Sequence, residues 1–144
     1  MPEFPAGVAW ANGARTRAQL IGTPTLVHFW SAGCPMSEAA LPLVNEWRRT
    51  YGGDSSGERA ALQVVGVHLP REASDAEAAR ERIAAHGVTH PVLLDDKREA
   101  AAAFGCACAP AYYAFDREGR LRHYQAGEQG LGLLARRIHK LVVP

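Results

Sequence analysis

The chain has 144 residues, 47% of them hydrophobic and 22% charged, with a net charge of +1. That is enough for one domain with its own core, and the basic residues are too dispersed to recommend nucleic acid or an anionic membrane as a partner. The longest apolar runs are too short to span a bilayer, and Met1-Pro2-Glu3-Phe4-Pro5 lacks the charged start and apolar core of a signal peptide.

In chain order, residues 1–7 read as a loose lead-in. Thr25–Trp30 is a β-rich run and reads as a buried strand. A helix is expected over Ser37–Tyr51, where Ala40, Leu43, Val44, Trp47 and Tyr51 recur at helical spacing; Pro42 should bend it or remove a backbone bond. Residues 52–60 read as a flexible connection. Leu62–Leu69 is a second strand. Ser74–His86 reads as a helix with a Ser74/Glu77 capping box and a stop at Gly87. A short strand follows at Pro91–Leu94. Asp96–Phe104 reads as a short helix capped by Asp96 with Glu99 and ended by Gly105. Tyr112–Asp116 and Leu121–Gln125 form a hairpin through Asp116-Arg117-Glu118-Gly119. Gln129–Val142 closes the chain as a helix with Leu131, Leu134, Ile138 and Leu141 on one face. Strands alternating with helices predict an α/β fold, a central mixed sheet flanked by helices, in a single domain over 1–144.

The chemistry concentrates at Phe29-Trp30-Ser31-Ala32-Gly33-Cys34-Pro35-Met36-Ser37. A strand runs through a small-residue turn into a cysteine, a proline and a helix. Pro35 fits the first helical position, where its missing N–H costs nothing. Cys34 then sits at a helix N-terminus, whose free N–H groups and dipole favour a thiolate, the reactive form of the thiol. The bland alternative is a structural cysteine that happens to precede a helix. Ser37 stands where a C-x-x-C site carries its second cysteine, so the site is a monothiol C-P-M-S. Its hydroxyl can donate to a Cys34 thiolate, or merely bond the backbone of the first turn.

The other two cysteines, Cys106 and Cys108, would point to one side of an extended segment. They are either small apolar fillers or a source of a resolving thiol; two ligands alone are a weak metal signal. Six histidines are scattered without ligand spacing. His28, in the strand leading to Cys34, could tune the thiol or serve as a satisfied core residue. His68 and His90 have no evident partner. No phosphate-binding, dinucleotide or serine-hydrolase motif is present, so no cofactor and no metal is expected.

These residues resemble the thioredoxin superfamily, most closely its TlpA/ResA branch. The segment from Phe29 to Ser37, followed by Glu38 and Leu41-Pro42, is similar to that branch's F-W-A-x-W-C-P-P-C strand-to-helix motif. Trp10-Ala11-Asn12-Gly13 resembles the lead-in of the NHL-repeat and DipZ-type domains. Val64-Val65-Gly66-Val67 resembles the next core strand, and residues 70–95 an extra helix–strand insertion. Pro110-Ala111-Tyr112-Tyr113-Ala114-Phe115-Asp116 resembles the segment that starts at the family's cis-proline. The resemblance implies a thioredoxin-like fold and a cis Ala109–Pro110 bond facing Cys34. It also implies a substrate surface of Trp30, Pro35, Ala109 and Pro110, and places Cys108 near the active-site rim. Gly33 replaces the usual tryptophan and Ser37 the second cysteine.

The implied activity is that of a thiol-disulfide oxidoreductase acting through Cys34 on protein or small-molecule thiols and disulfides, with Cys108 or an outside thiol resolving the adduct. The alternatives are a non-catalytic binding module and a peroxiredoxin-like peroxidase, the latter disfavoured by Ser31 in place of the threonine of T-x-x-C. Cysteine usage fits the cytoplasm and the bacterial envelope equally.

Overall fold

The structure, a computed structural model, describes residues 1–53, 59–72 and 75–143. In chain order the elements are β1 (Trp10–Ala11), α1 (Arg17–Leu20), β2 (Thr25–Trp30), α2 (Pro35–Tyr51), β3 (Gln63–His68), α3 (Asp75–Ala85), β4 (Val92–Leu94), α4 (Glu99–Phe104), β5 (Ala111–Phe115), β6 (Leu121–Ala126) and α5 (Leu131–Val142). The strands form one mixed sheet in the order β1-β4-β3-β2-β5-β6. β2, β3 and β4 run parallel, while β1, β5 and β6 pair antiparallel to their neighbours.

All six residues of β2 are buried, because helices cover both faces of the sheet. Alternation sends Val27 and Phe29 to one face, with Val65, Val67, Tyr113 and Phe115 around the small helices α1 and α4. Leu26 goes to the opposite face with Val64 and Tyr112, under Val44 and Trp47 of α2 and Leu134 and Ile138 of α5. Each such side chain contributes roughly 1.5–3 kcal/mol on full burial. The helix–strand unit expected within 70–95 consists of α3 and β4.

Three expectations are corrected. The lead-in is not loose: Phe4 is buried, stacks on Phe104 and meets Trp10 edge-on, and the Met1 amino group donates to the Gly119 carbonyl. Asp96 does not cap α4. The buried Asp95 carboxylate accepts the N–H groups of Ala100 and Ala101, both at 2.9 Å, and α4 starts at Glu99. A buried carboxylate that takes two otherwise free N–H groups outcompetes an exposed neighbour for the role. Third, β1 and α1 were not anticipated; two and four residues are too few to show a period. The Ser74 half of the expected capping box, and residues 54–58 of the connection, lie outside the described residues.

Candidate active site

Cys34 is the N-cap of α2 and Pro35 its first residue. The preceding turn needs a residue at φ +80°, which Gly33 supplies; a tryptophan in its place would be strained. Each residue of the turn is pinned. The Ser31 hydroxyl donates to the Leu69 carbonyl at 2.6 Å, Ala32 N–H donates to His68 Nε2 at 3.1 Å, and Gly33 N–H donates to Glu38 Oε2 at 2.7 Å. Glu38 is held in turn by His86 at 2.9 Å and Arg82 at 3.6 Å. Burial alone would raise the Glu38 pKa, but the bonds from His86 and Gly33 and the charge of Arg82 bring it below the usual carboxylate value.

The thiol is partly exposed. Its partial burial acts to raise the pKa. The Ser37 side chain, the N–H groups of Ser37 and Met36, and the positive charge of Arg71 outweigh that, and the thiol is shifted toward the thiolate. The Ser37 hydroxyl is buried and meets no oxygen or nitrogen partner.

Cys34 and Pro35 line one side of an open cavity of ≈370 Å³, and Ala107, Cys108 and Ala109 line the other. Arg71 and Arg98 complete its wall. The Ala109–Pro110 peptide is cis; Ala109 reaches the cavity, whereas Pro110 is buried behind it.

The remaining site residues lie elsewhere. Trp30 is 1% exposed and packs edge-on against His68, so it supports the turn from beneath and is no part of the cavity wall. His28 is buried, and its Nε2 lies 2.8 Å from Nε2 of His90. Burial lowers its pKa to about 3, so the ring is uncharged at neutral pH; the cation acting on Cys34 is Arg71. His68 and His90, without evident partners in the sequence, are thus both engaged. Gly66 makes room for the pair, since a Cβ there would stand 3.0 Å from His28 Nε2.

Cys106 and Cys108 do not share a side. Cys106 turns inward, donates to the Cys108 carbonyl at 3.2 Å, and has its thiol pKa raised by burial; Cys108 is exposed. The cause is the irregular backbone between α4 and β5, which abolishes the alternation of a strand. All three cysteines are free. Among the described residues no three His, Cys, Asp or Glu side chains come together as a metal site, and no helix is long and apolar enough to cross a membrane.

Arg71, Arg98 and the Glu38–His86 pair were not singled out as site residues from the sequence. Glu38 alone carried a signal, through its place after the cysteine motif; the arginines carried none.

Residues 11–132 match the Redoxin family model. The chain is 41% identical to the thiol-disulfide oxidoreductase YkuV of Bacillus subtilis (strain 168), over 99% of this chain and 93% of that protein. It is 26% identical to protein DipZ of Mycobacterium tuberculosis (strain CDC 1551 / Oshkosh), over 88% of this chain but 18% of that longer protein. Among solved structures it superimposes with a TM-score of 0.86 on a thioredoxin-like protein determined in solution in its oxidized form, at 41% identity, over 99% of this chain and 93% of that one. The fold is thioredoxin-like, and since the family match runs from β1 into the first turn of α5, the chain belongs to the redoxin family.

Proposed function

We propose that the protein is a thiol-disulfide oxidoreductase that works through the single thiol of Cys34. The observation that carries this is the sulfur at the start of α2, partly exposed and biased toward the thiolate, with Ser37 where a second cysteine would stand. The thiolate attacks a disulfide of a protein or small-molecule substrate. A Cys34–sulfur bond forms, the substrate S–S bond breaks, and the departing sulfur leaves as a thiolate and takes a proton from water. Ser37 cannot close an internal disulfide, so a second thiol must release the adduct. Cys108 lines the same cavity and is exposed, which favours it over the buried Cys106 for that role. A peroxidase reading is less well supported, because the Ser31 hydroxyl gives its one proton to the Leu69 carbonyl.

The test is peptide mapping by mass spectrometry after one equivalent of a disulfide oxidant, in wild type, Cys34→Ala and Cys108→Ser. The expected product is a Cys34 adduct or a Cys34–Cys108 bond, absent in Cys34→Ala. With Cys108→Ser and no added thiol the adduct should persist. A Cys106–Cys108 bond with Cys34 untouched would overturn the assignment and favour a non-catalytic binding module.

A further inference from the structure

The cavity beside Cys34 carries two guanidinium groups and, among the described residues, no carboxylate in its wall. Both arginines are tethered by backbone carbonyls. Arg98 Nη2 donates to the Pro70 carbonyl at 2.7 Å, and Arg71 Nη1 reaches the Gly33 carbonyl at 3.5 Å. Arg98 also stands at φ +57°, a left-handed conformation that non-glycine residues seldom adopt and that tends to persist where a side chain must be aimed. Among the described residues neither arginine is in an ion pair. Glu72 and Asp96 share with them a neighbouring depression around Pro70, and Arg71 shares with Glu72, Asp75 and Glu81 another beside Ala32 and Gly33; Cys34 lines neither. Two guanidinium forks in the wall of the thiol's cavity, neither held in an ion pair among the described residues, suit a planar anion.

We propose that Arg71 and Arg98 make the site selective for disulfides in which the sulfur attacked belongs to a low-molecular-weight thiol bearing a carboxylate. This rests on the oxidoreductase reading above and adds the substrate class. The volume of ≈370 Å³ is that of a small-molecule site. Cys34 thiolate bonds to the sulfur of the anionic thiol, the S–S bond breaks, and the electron pair leaves on the other sulfur, which is protonated by water. The carboxylate then rests against the two guanidinium groups. A second molecule of the same thiol, as thiolate, attacks the sulfur bound to Cys34. That step forms the symmetrical small disulfide and releases Cys34 thiolate, so no further oxidant or reductant is needed.

An acidic side chain next to a cysteine in a protein substrate offers the same chemistry, and the experiment separates the two. Second-order rates of Cys34 adduct formation are measured with oxidised glutathione (anionic), hydroxyethyl disulfide (neutral) and cystamine (cationic). They are measured also with disulfide peptides whose cysteine is flanked by Asp or by Lys. The readout is the anionic-to-cationic rate ratio, which cancels any change in thiol reactivity common to all probes. The expected small-molecule ratio is on the order of tenfold or more, falling at about 0.5 M salt. Arg98→Asn, which keeps a residue tolerant of positive φ, and Arg71→Gln should each lower it several-fold. Arg122→Gln, on β6 against a different cavity, should not. Equal rates for the three small disulfides would overturn the selectivity while leaving the oxidoreductase reading standing. A larger ratio for the peptides than for the small disulfides would overturn the small-thiol assignment. No adduct on Cys34 with any probe would overturn the underlying function itself.

Discussion

The reactivity of Cys34 is assembled from groups within one helical turn plus one distant cation. The N–H groups of Met36 and Ser37 come with the start of α2, and the Ser37 hydroxyl adds a buried donor with no competing oxygen or nitrogen partner. Ser37→Ala should therefore move the midpoint of the alkylation-versus-pH curve upward and slow alkylation of Cys34 at pH 7 by roughly several-fold, the effect of one lost hydrogen bond to a charged acceptor. Iodoacetamide kinetics over pH 5–9 measure this; an unchanged midpoint would remove Ser37 from the site. The thiol, Pro35 and Ser37 were legible in the sequence because N-terminal helix signals span only a few consecutive residues. Arg71 was not, since only the fold carries it back to the Gly33 carbonyl. Trp30 was misplaced because the family motif reports a position in sequence, while its last-in-strand location under α2 and α3 turns the ring into the core.

At the level of elements, the long helices and the short α4 were readable in the sequence, whereas the four-residue α1 was not. α2 and α5 show the 3.6-residue period over three or more turns; the spacing selects Ala40, Val44, Trp47, Leu134 and Ile138, all buried, but misses Leu41 and Asn45, which α2 also buries. α4 has six residues and depends on its cap. Asp95→Ala should remove both carboxylate bonds to Ala100 and Ala101 and destabilise the protein by about 1–2 kcal/mol, with Asp95→Asn milder, as read from urea unfolding midpoints. A loss as large from Asp96→Ala would return the cap to Asp96. The same helix leads into the loop that runs from the buried Cys106 to Cys108 and Ala109 in the cavity wall, so fraying of α4 should also loosen that wall.

For the molecule as a whole, the buried histidines tie stability to pH. Burial lowers the pKa of His28 to about 3, and burial, aided by the charge of Arg48, lowers that of His90 well below its usual value. His68 is lowered by burial against the opposing pull of Asp75 and Asp96. All three are neutral in the fold, whereas in the unfolded chain they take up protons below about pH 6.5. The unfolded state thus binds more protons, and stability is present above that pH and lost as the pH falls toward the folded-state values. His28 alone should withdraw roughly 2 kcal/mol between pH 7 and pH 5. Urea midpoints at the two pH values check this; equal midpoints would contradict a neutral buried pair. The sequence by itself determined the strand–helix alternation, the hairpin, the helix start at Cys34 and the resemblance to thioredoxins, because each depends on periodicity or on neighbours a few residues apart. Only the tertiary structure decided that His28 meets His90 across 62 residues, that Cys106 turns inward while Cys108 faces the cavity, and that Arg71 and Arg98 line the same cavity as the thiol. Those contacts join segments that sheet order brings together, and sheet order is set by packing between residues far apart in the chain.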